Sequence, residues 1–105
     1  MRFRLSKAAT QDVEEAWLHT AWRWSPERAD ALLDTFEDKF RNLARYPNSG
    51  RRRDELAPGL RSLTVSGFVV IYRTHDETLE IVRVVHGTRD LHGLLARDEP
   101  PDASP

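Results

Sequence analysis

The sequence predicts an α+β domain: an N-terminal edge strand and an antiparallel helical hairpin packed on a small antiparallel sheet, ending in a short C-terminal helix. Three observations predict it. Gly59 to His86 reads as a three-stranded meander, because β-branched and aromatic residues are broken only at Gly67 and at His75-Asp76-Glu77-Thr78. Val13 to Ala44 carries apolar residues at helical spacing, interrupted once by Ser25-Pro26-Glu27. Arg2-Phe3-Arg4-Leu5 alternates polar and apolar residues, as a fourth strand at a sheet edge does.

Taken in order, the first strand places Phe3 and Leu5 inward, and its arginines blunt the edge. Ser6 supplies an N-cap hydroxyl to a first helix, whose inward stripe is Val13, Ala16, Trp17, Thr20, Ala21 and Trp24. Leu18 and Trp22 fall off that stripe, on roughly the opposite face by the 3.6-residue period. They either fold over a neighbouring element or wait for a partner, since exposed aromatic pairs mark interfaces. Ser25-Pro26-Glu27 opens a second helix with a cap, a first-position proline and a first-turn acid. Ala29, Leu32, Leu33, Phe36, Phe40, Leu43 and Ala44 form its apolar face, while Asp30, Asp34, Glu37, Asp38, Lys39 and Arg41 read as solvated. Tyr46-Pro47-Asn48-Ser49-Gly50 stops that helix. A polar connector, Arg51 to Gly59, then leads to the meander, whose middle run Phe68 to Tyr72 is apolar on both faces and belongs inside the sheet. Thr88 to Leu95 has leucines spaced for one or two helical turns. Residues 96–105, rich in proline and acid, read as a disordered tail beyond a 1–95 domain.

With 105 residues, 39% of them hydrophobic and 31% charged, one small core is expected, and no apolar run is long enough to span a membrane. The N-terminus lacks an apolar run of signal-peptide type, which predicts a cytoplasmic location. There is no cysteine, so disulfides and thiolate chemistry are excluded. None of the four histidines repeats at i, i+4, and no metal or other cofactor is predicted. Net charge is −1, which does not advertise direct DNA binding, although residues 51–75 hold five arginines against two acids.

Arg61, Arg73 and Arg83 are set into otherwise apolar strands. A charge is too costly to bury unpaired, so each must reach water, a carboxylate or a ligand. For Arg83 the sequence offers Glu80, Asp90 and Asp54. His86, at the last strand's end before Gly87, reads first as a hydrogen-bonded packing residue; Arg89 and Asp90 read as a local pair or cap.

Leu5-Ser6-Lys7-Ala8-Ala9, the Tyr46-to-Arg51 turn, Asp54-Glu55-Leu56, Pro58-Gly59-Leu60-Arg61, Gly67-to-Arg73 and Ile81-to-Leu91 follow one another in an order and spacing that resembles the toxins of the RelE/ParE superfamily. The resemblance is closest to the ParE branch and runs from Phe3 to about Leu95. It implies a sheet with an N-terminal helical hairpin. It also implies a small antitoxin, ParD-like with a ribbon-helix-helix N-terminus, whose C-terminal segment orders on the toxin in a hetero-oligomer. The natural receivers are Trp17, Leu18, Trp22, Arg61, Arg73 and Arg83. The implied activity is inhibition of DNA gyrase by binding, through His86, Arg89, Asp90, Leu91, Leu94 and Leu95, with no catalytic residue. The RelE-like alternative is cleavage of messenger RNA on the ribosome, with Arg61 and Arg83 clamping a phosphate and His86 titrating. Members of that branch draw on connector lysines and a C-terminal tyrosine; here no lysine follows Lys39 and no tyrosine follows Tyr72. Arginine is a poor general base. A degenerate toxin that only binds its antitoxin is the third reading.

Overall fold

The computed structural model describes residues 1–87. Its elements are β1 (Arg2–Leu5), α1 (Lys7–Arg23), α2 (Pro26–Arg45), β2 (Arg51–Arg52), β3 (Arg61–Val65), β4 (Phe68–His75) and β5 (Thr78–His86). The five strands form one sheet in the order β1-β5-β4-β3-β2, with the helical hairpin against one face. The expected C-terminal helix, the boundary near residue 95 and the tail lie outside the described residues.

The meander forms where the pattern placed it. Ser66 and Gly67 both take positive φ, 51° and 83°, as a tight two-residue hairpin with the right twist requires. The β4 strand is central, and its Val70, Ile71 and Tyr72 are fully buried. Two features of the sheet differ from expectation. The N-terminal strand is at an edge, but it pairs parallel with β5, Phe3 opposite Leu79 and Leu5 opposite Ile81, so the sheet is mixed. Parallel neighbours need a crossover, and here the hairpin and the rest of the sheet lie between them in sequence. The connector is also not all loop, since Arg51 and Arg52 pair with Ser62 and Arg61 as a short second edge.

Ser6 joins sheet and helix. Its Oγ accepts from Ala9 N (3.0 Å) to cap α1 and donates to Val82 O (2.8 Å), while its own N donates to Ile81 O (2.9 Å). Val82 is the extra residue of a bulge, because Arg83 faces Ile71 whereas Ile81 faces Tyr72. The core lies between the hairpin and the sheet: Phe36, Phe40 and Leu43 of α2, Ala9 and Ala16 of α1, and Phe68, Val70, Tyr72, Leu79, Ile81 and Val84 of the sheet. Small residues on α1 let its backbone approach β5. Phe36 stacks on Phe40 and meets Phe68 edge-on at 5.3 Å.

The expected inward stripe of α1 fails at its end. Trp24 is 62% exposed, because it caps the helix with φ −123° and ψ −80° and swings out at the turn. Its ring takes the Arg28 guanidinium at 4.5 Å and that of Arg23 at 5.8 Å.

Candidate functional site

The hairpin presents an apolar strip to solvent. Trp22 is 91% exposed and Leu18 62%. An isolated globule gains nothing by leaving an indole in water, so of the two readings of Trp22 the geometry rejects the one that folds it onto a neighbouring element. Leu18 lies between two open depressions, one lined by Val13, Glu14, Trp17 and Leu33, the other by His19, Ala21 and Trp22. Trp17 is half-buried and fixed, its Nε1 donating to Asp30 Oδ1 at 3.0 Å across the hairpin. The strip itself belongs to α1, and Trp17 beside it ties that helix to α2.

The sheet arginines do not join it. Arg61 Nη1 donates to Gly50 O at 2.8 Å and to Asn48 O at 3.4 Å, tying down the turn after α2. The same turn is held by Tyr72, whose hydroxyl donates to Pro47 O and accepts from Gly50 N, each at 2.8 Å. Burial pushes the Tyr72 phenol above its ordinary range. Arg73 lies on the sheet face away from the helices, where it and Arg4 flank Glu80 at 3.0 and 3.3 Å. Glu80 is therefore not the partner of Arg83, nor is Asp54, which accepts from Gly59 N at 3.0 Å and pairs with Arg52 at 2.8 Å. The Gly59 bond holds the Asp54 carboxyl below the usual range, and Arg53 does the same for Glu55.

Arg83 instead grips Asp12 of α1, Nε to Oδ2 at 2.7 Å and Nη2 to Oδ1 at 2.9 Å, and the same carboxylate accepts from Val84 N at 2.9 Å. The sequence held a signal for this. Asp12 sits among Ala9, Val13 and Ala16 on the sheet-facing stripe, and an acid there needs a buried cation. His86 is exposed at the end of β5, its ring 4.5 Å from that of Phe68 and edge-on to His19 at 6.5 Å. Arg61 and Arg83 thus stand on strands separated by β4, each engaged elsewhere, and the sheet assembles no phosphate clamp from them. Arg89, Asp90, Leu91, Leu94 and Leu95 lie outside the described residues. Among the described residues no three His, Asp or Glu are placed to hold a metal, and no helix is long and apolar enough to cross a membrane.

The family model for the ParE toxin of type II toxin–antitoxin systems matches residues 3–91. Toxin ParE1 of Mycobacterium tuberculosis is 35% identical over 91 residues, 86% of this chain and 93% of that protein. Toxin ParE1 of Caulobacter vibrioides is 30% identical over 93 residues, 89% and 96% of the two chains. A solved structure described as "Chromosomal ParDE TA system from P. aeruginosa" superimposes with a TM-score of 0.72 at 23% identity, covering 82% of this chain and 95% of that one, and so shares the fold. On its matched length and its relatives, this chain belongs to the ParE toxin family of type II toxin–antitoxin systems.

Proposed function

We propose that this toxin acts in the cytoplasm by binding DNA gyrase and blocking replication, and that a cognate ParD-like antitoxin neutralises it by ordering a C-terminal segment along Leu18 and Trp22. The observation that carries the reading is the contrast between spent and unspent groups. Arg61 and Arg83, which cleavage would need free to hold a phosphate, are committed to Gly50 O and Asp12. The Leu18–Trp22 strip is committed to nothing among the described residues. Capture by an antitoxin needs such a strip, and inhibition by binding needs no proton-transfer pair. The gyrase-contacting surface is assigned to the segment that starts at His86 and continues through Arg89, Asp90, Leu91, Leu94 and Leu95. Arg73 sits on the other face of the sheet, where an antitoxin segment reaches it only by passing around the edge.

The experiment that tests this is a pair of assays on one purified preparation: supercoiling of relaxed plasmid by gyrase, and cleavage of messenger RNA in a translating extract. Lost supercoiling with intact RNA is the expected result. Cleaved RNA with normal supercoiling overturns it, and silence in both assays from folded protein that binds its antitoxin points to a degenerate toxin.

A further inference from the structure

A groove of about 470 Å³ opens where the end of α1 and the first turns of α2 meet the β3–β4 turn. Leu32 and Phe68 are among its more covered lining residues, while Trp24 and Arg28 stand exposed beside it. Thr20, Thr35 and Ser66 add three hydroxyls, and no acid lines it. The Arg28 guanidinium lies over the Trp24 ring at 4.5 Å and that of Arg23 at 5.8 Å. These contacts hold the indole but neutralise neither charge, and neither arginine makes an ion pair among the described residues. The Thr20 and Ser66 hydroxyls likewise make no hydrogen bond there; Thr35 Oγ1 donates to Ala31 O at 3.0 Å and keeps its lone pairs.

We propose that this groove binds a nucleotide, its base in the groove against the Trp24 ring and its phosphate on Arg28 and Arg23. A base is apolar on its faces and polar at its edges, and the groove divides in the same way. Leu32, Phe68 and the indole meet the faces, and the free hydroxyls meet the edge. A guanidinium over an indole still has its N–H donors to give, so Arg28 takes a phosphate without leaving the ring. An acidic peptide would satisfy the two arginines and leave the apolar surface and the hydroxyls unused. A free nucleotide and one nucleotide of a single strand offer the groove the same chemistry, whereas a duplex keeps its base faces stacked. With the phosphate on two arginines, binding falls as salt rises. The groove shares no residue with the Leu18–Trp22 strip, with Arg61 or with Arg83, and the proposal does not depend on the gyrase reading.

The test is a fluorescence-anisotropy titration of the full chain with two probes, a fluorescein-labelled single-stranded oligodeoxynucleotide of mixed sequence and the fluorescent nucleotide etheno-AMP. Binding of either upholds the proposal, the strand alone pointing to a nucleotide within a chain and etheno-AMP to the free nucleotide; binding of neither overturns it. Trp24→Leu and Arg28→Glu should each weaken binding at least about tenfold, as loss of a stacking ring or of a phosphate contact does. Trp22→Ala and Arg51→Glu should leave it unchanged. An equal loss with Arg51→Glu, or displacement of the probe by polyglutamate as readily as by its own unlabelled form, overturns the proposal. Photocrosslinking uses the unaltered protein, so it decides the matter even where the variants fold poorly. A strand carrying 5-iodouracil, or 8-azido-AMP, should label the stretch from Trp24 to Arg28, and label confined to other stretches overturns the assignment.

Discussion

Asp12 and Arg83, 71 positions apart in the chain, meet in a two-bond fork, and the same carboxylate also receives the amide of Val84. Both side chains are only about a tenth exposed, 10% and 11%. The fork pins the start of α1 to β5 just past the bulge at Val82, while Ser6 pins the chain just before it. Removing one partner of such a pair is costly, because the remaining charge stays out of water. Asp12→Ala is expected to lower stability by about 3 kcal/mol, and Asp12→Asn by less because it keeps one acceptor for Val84 N. Urea denaturation of the three proteins checks the order, and equal losses would show that the charge is irrelevant.

Gly50 exists for Tyr72. A Cβ there would stand 2.6 Å from Tyr72 Cε1 and closer still to the hydroxyl oxygen. Gly50→Ala should therefore cost about 2–4 kcal/mol, as strain and a broken buried hydrogen bond together do. Tyr72→Phe alone should cost about 1–2 kcal/mol. In the double variant the two losses should fall short of their sum by at least about 0.5 kcal/mol, since both act on one contact. A double-mutant cycle from thermal melts gives the coupling; strict additivity would place the glycine's role elsewhere.

Trp22 separates binding from stability. At 91% exposed, its removal leaves no cavity, and Trp22→Ala should move stability by less than about 0.5 kcal/mol. Affinity for the cognate antitoxin should fall at least tenfold, about 1.4 kcal/mol or more, as truncation of a central tryptophan does. Calorimetric titration beside a melting curve reads both. A large drop in melting temperature with unchanged affinity of the folded fraction would make Trp22 a structural residue.

Stability should fall at both ends of the pH scale for different reasons. Tyr72 has its folded pKa raised above the ordinary 10.0 by burial. The unfolded chain therefore ionises first, and the Tyr72 contribution, intact below pH 10, is lost as pH rises through the folded pKa. Asp54 and Glu55 have folded pKa values lowered from 3.8 and 4.5, chiefly by Gly59 N–H and by Arg53. Their contribution is present above those values and is lost as pH falls through the lower folded ones. Melting curves from pH 3 to 11 check this. The alkaline fall should be shallower in Tyr72→Phe, and an unchanged slope there would assign it to other groups.

The sequence by itself determined the hairpin of helices, the meander and the N-terminal strand. Alternation marked β1, runs of β-branched and aromatic residues marked the meander, a 3.6-residue period marked both helices, Ser25-Pro26 marked the hairpin joint, and Leu18 and Trp22 stood out as misfits because periodicity alone says which residues leave a stripe. Those signals are local, set within a turn or a few strand residues. What the tertiary structure decided was long-range partnership. It ran β1 parallel to β5, turned Arg51-Arg52 into an edge strand, gave Arg83 to Asp12 rather than to Glu80, and spent Arg61 on the Gly50 carbonyl. It also gathered Arg2, Arg4, Arg41 and Arg45 from two elements around one groove. A charged side chain chooses its partner by distance and desolvation in three dimensions. Several acids stood equally available along the chain, and only the packing of α1 across β5 brought Asp12 within reach.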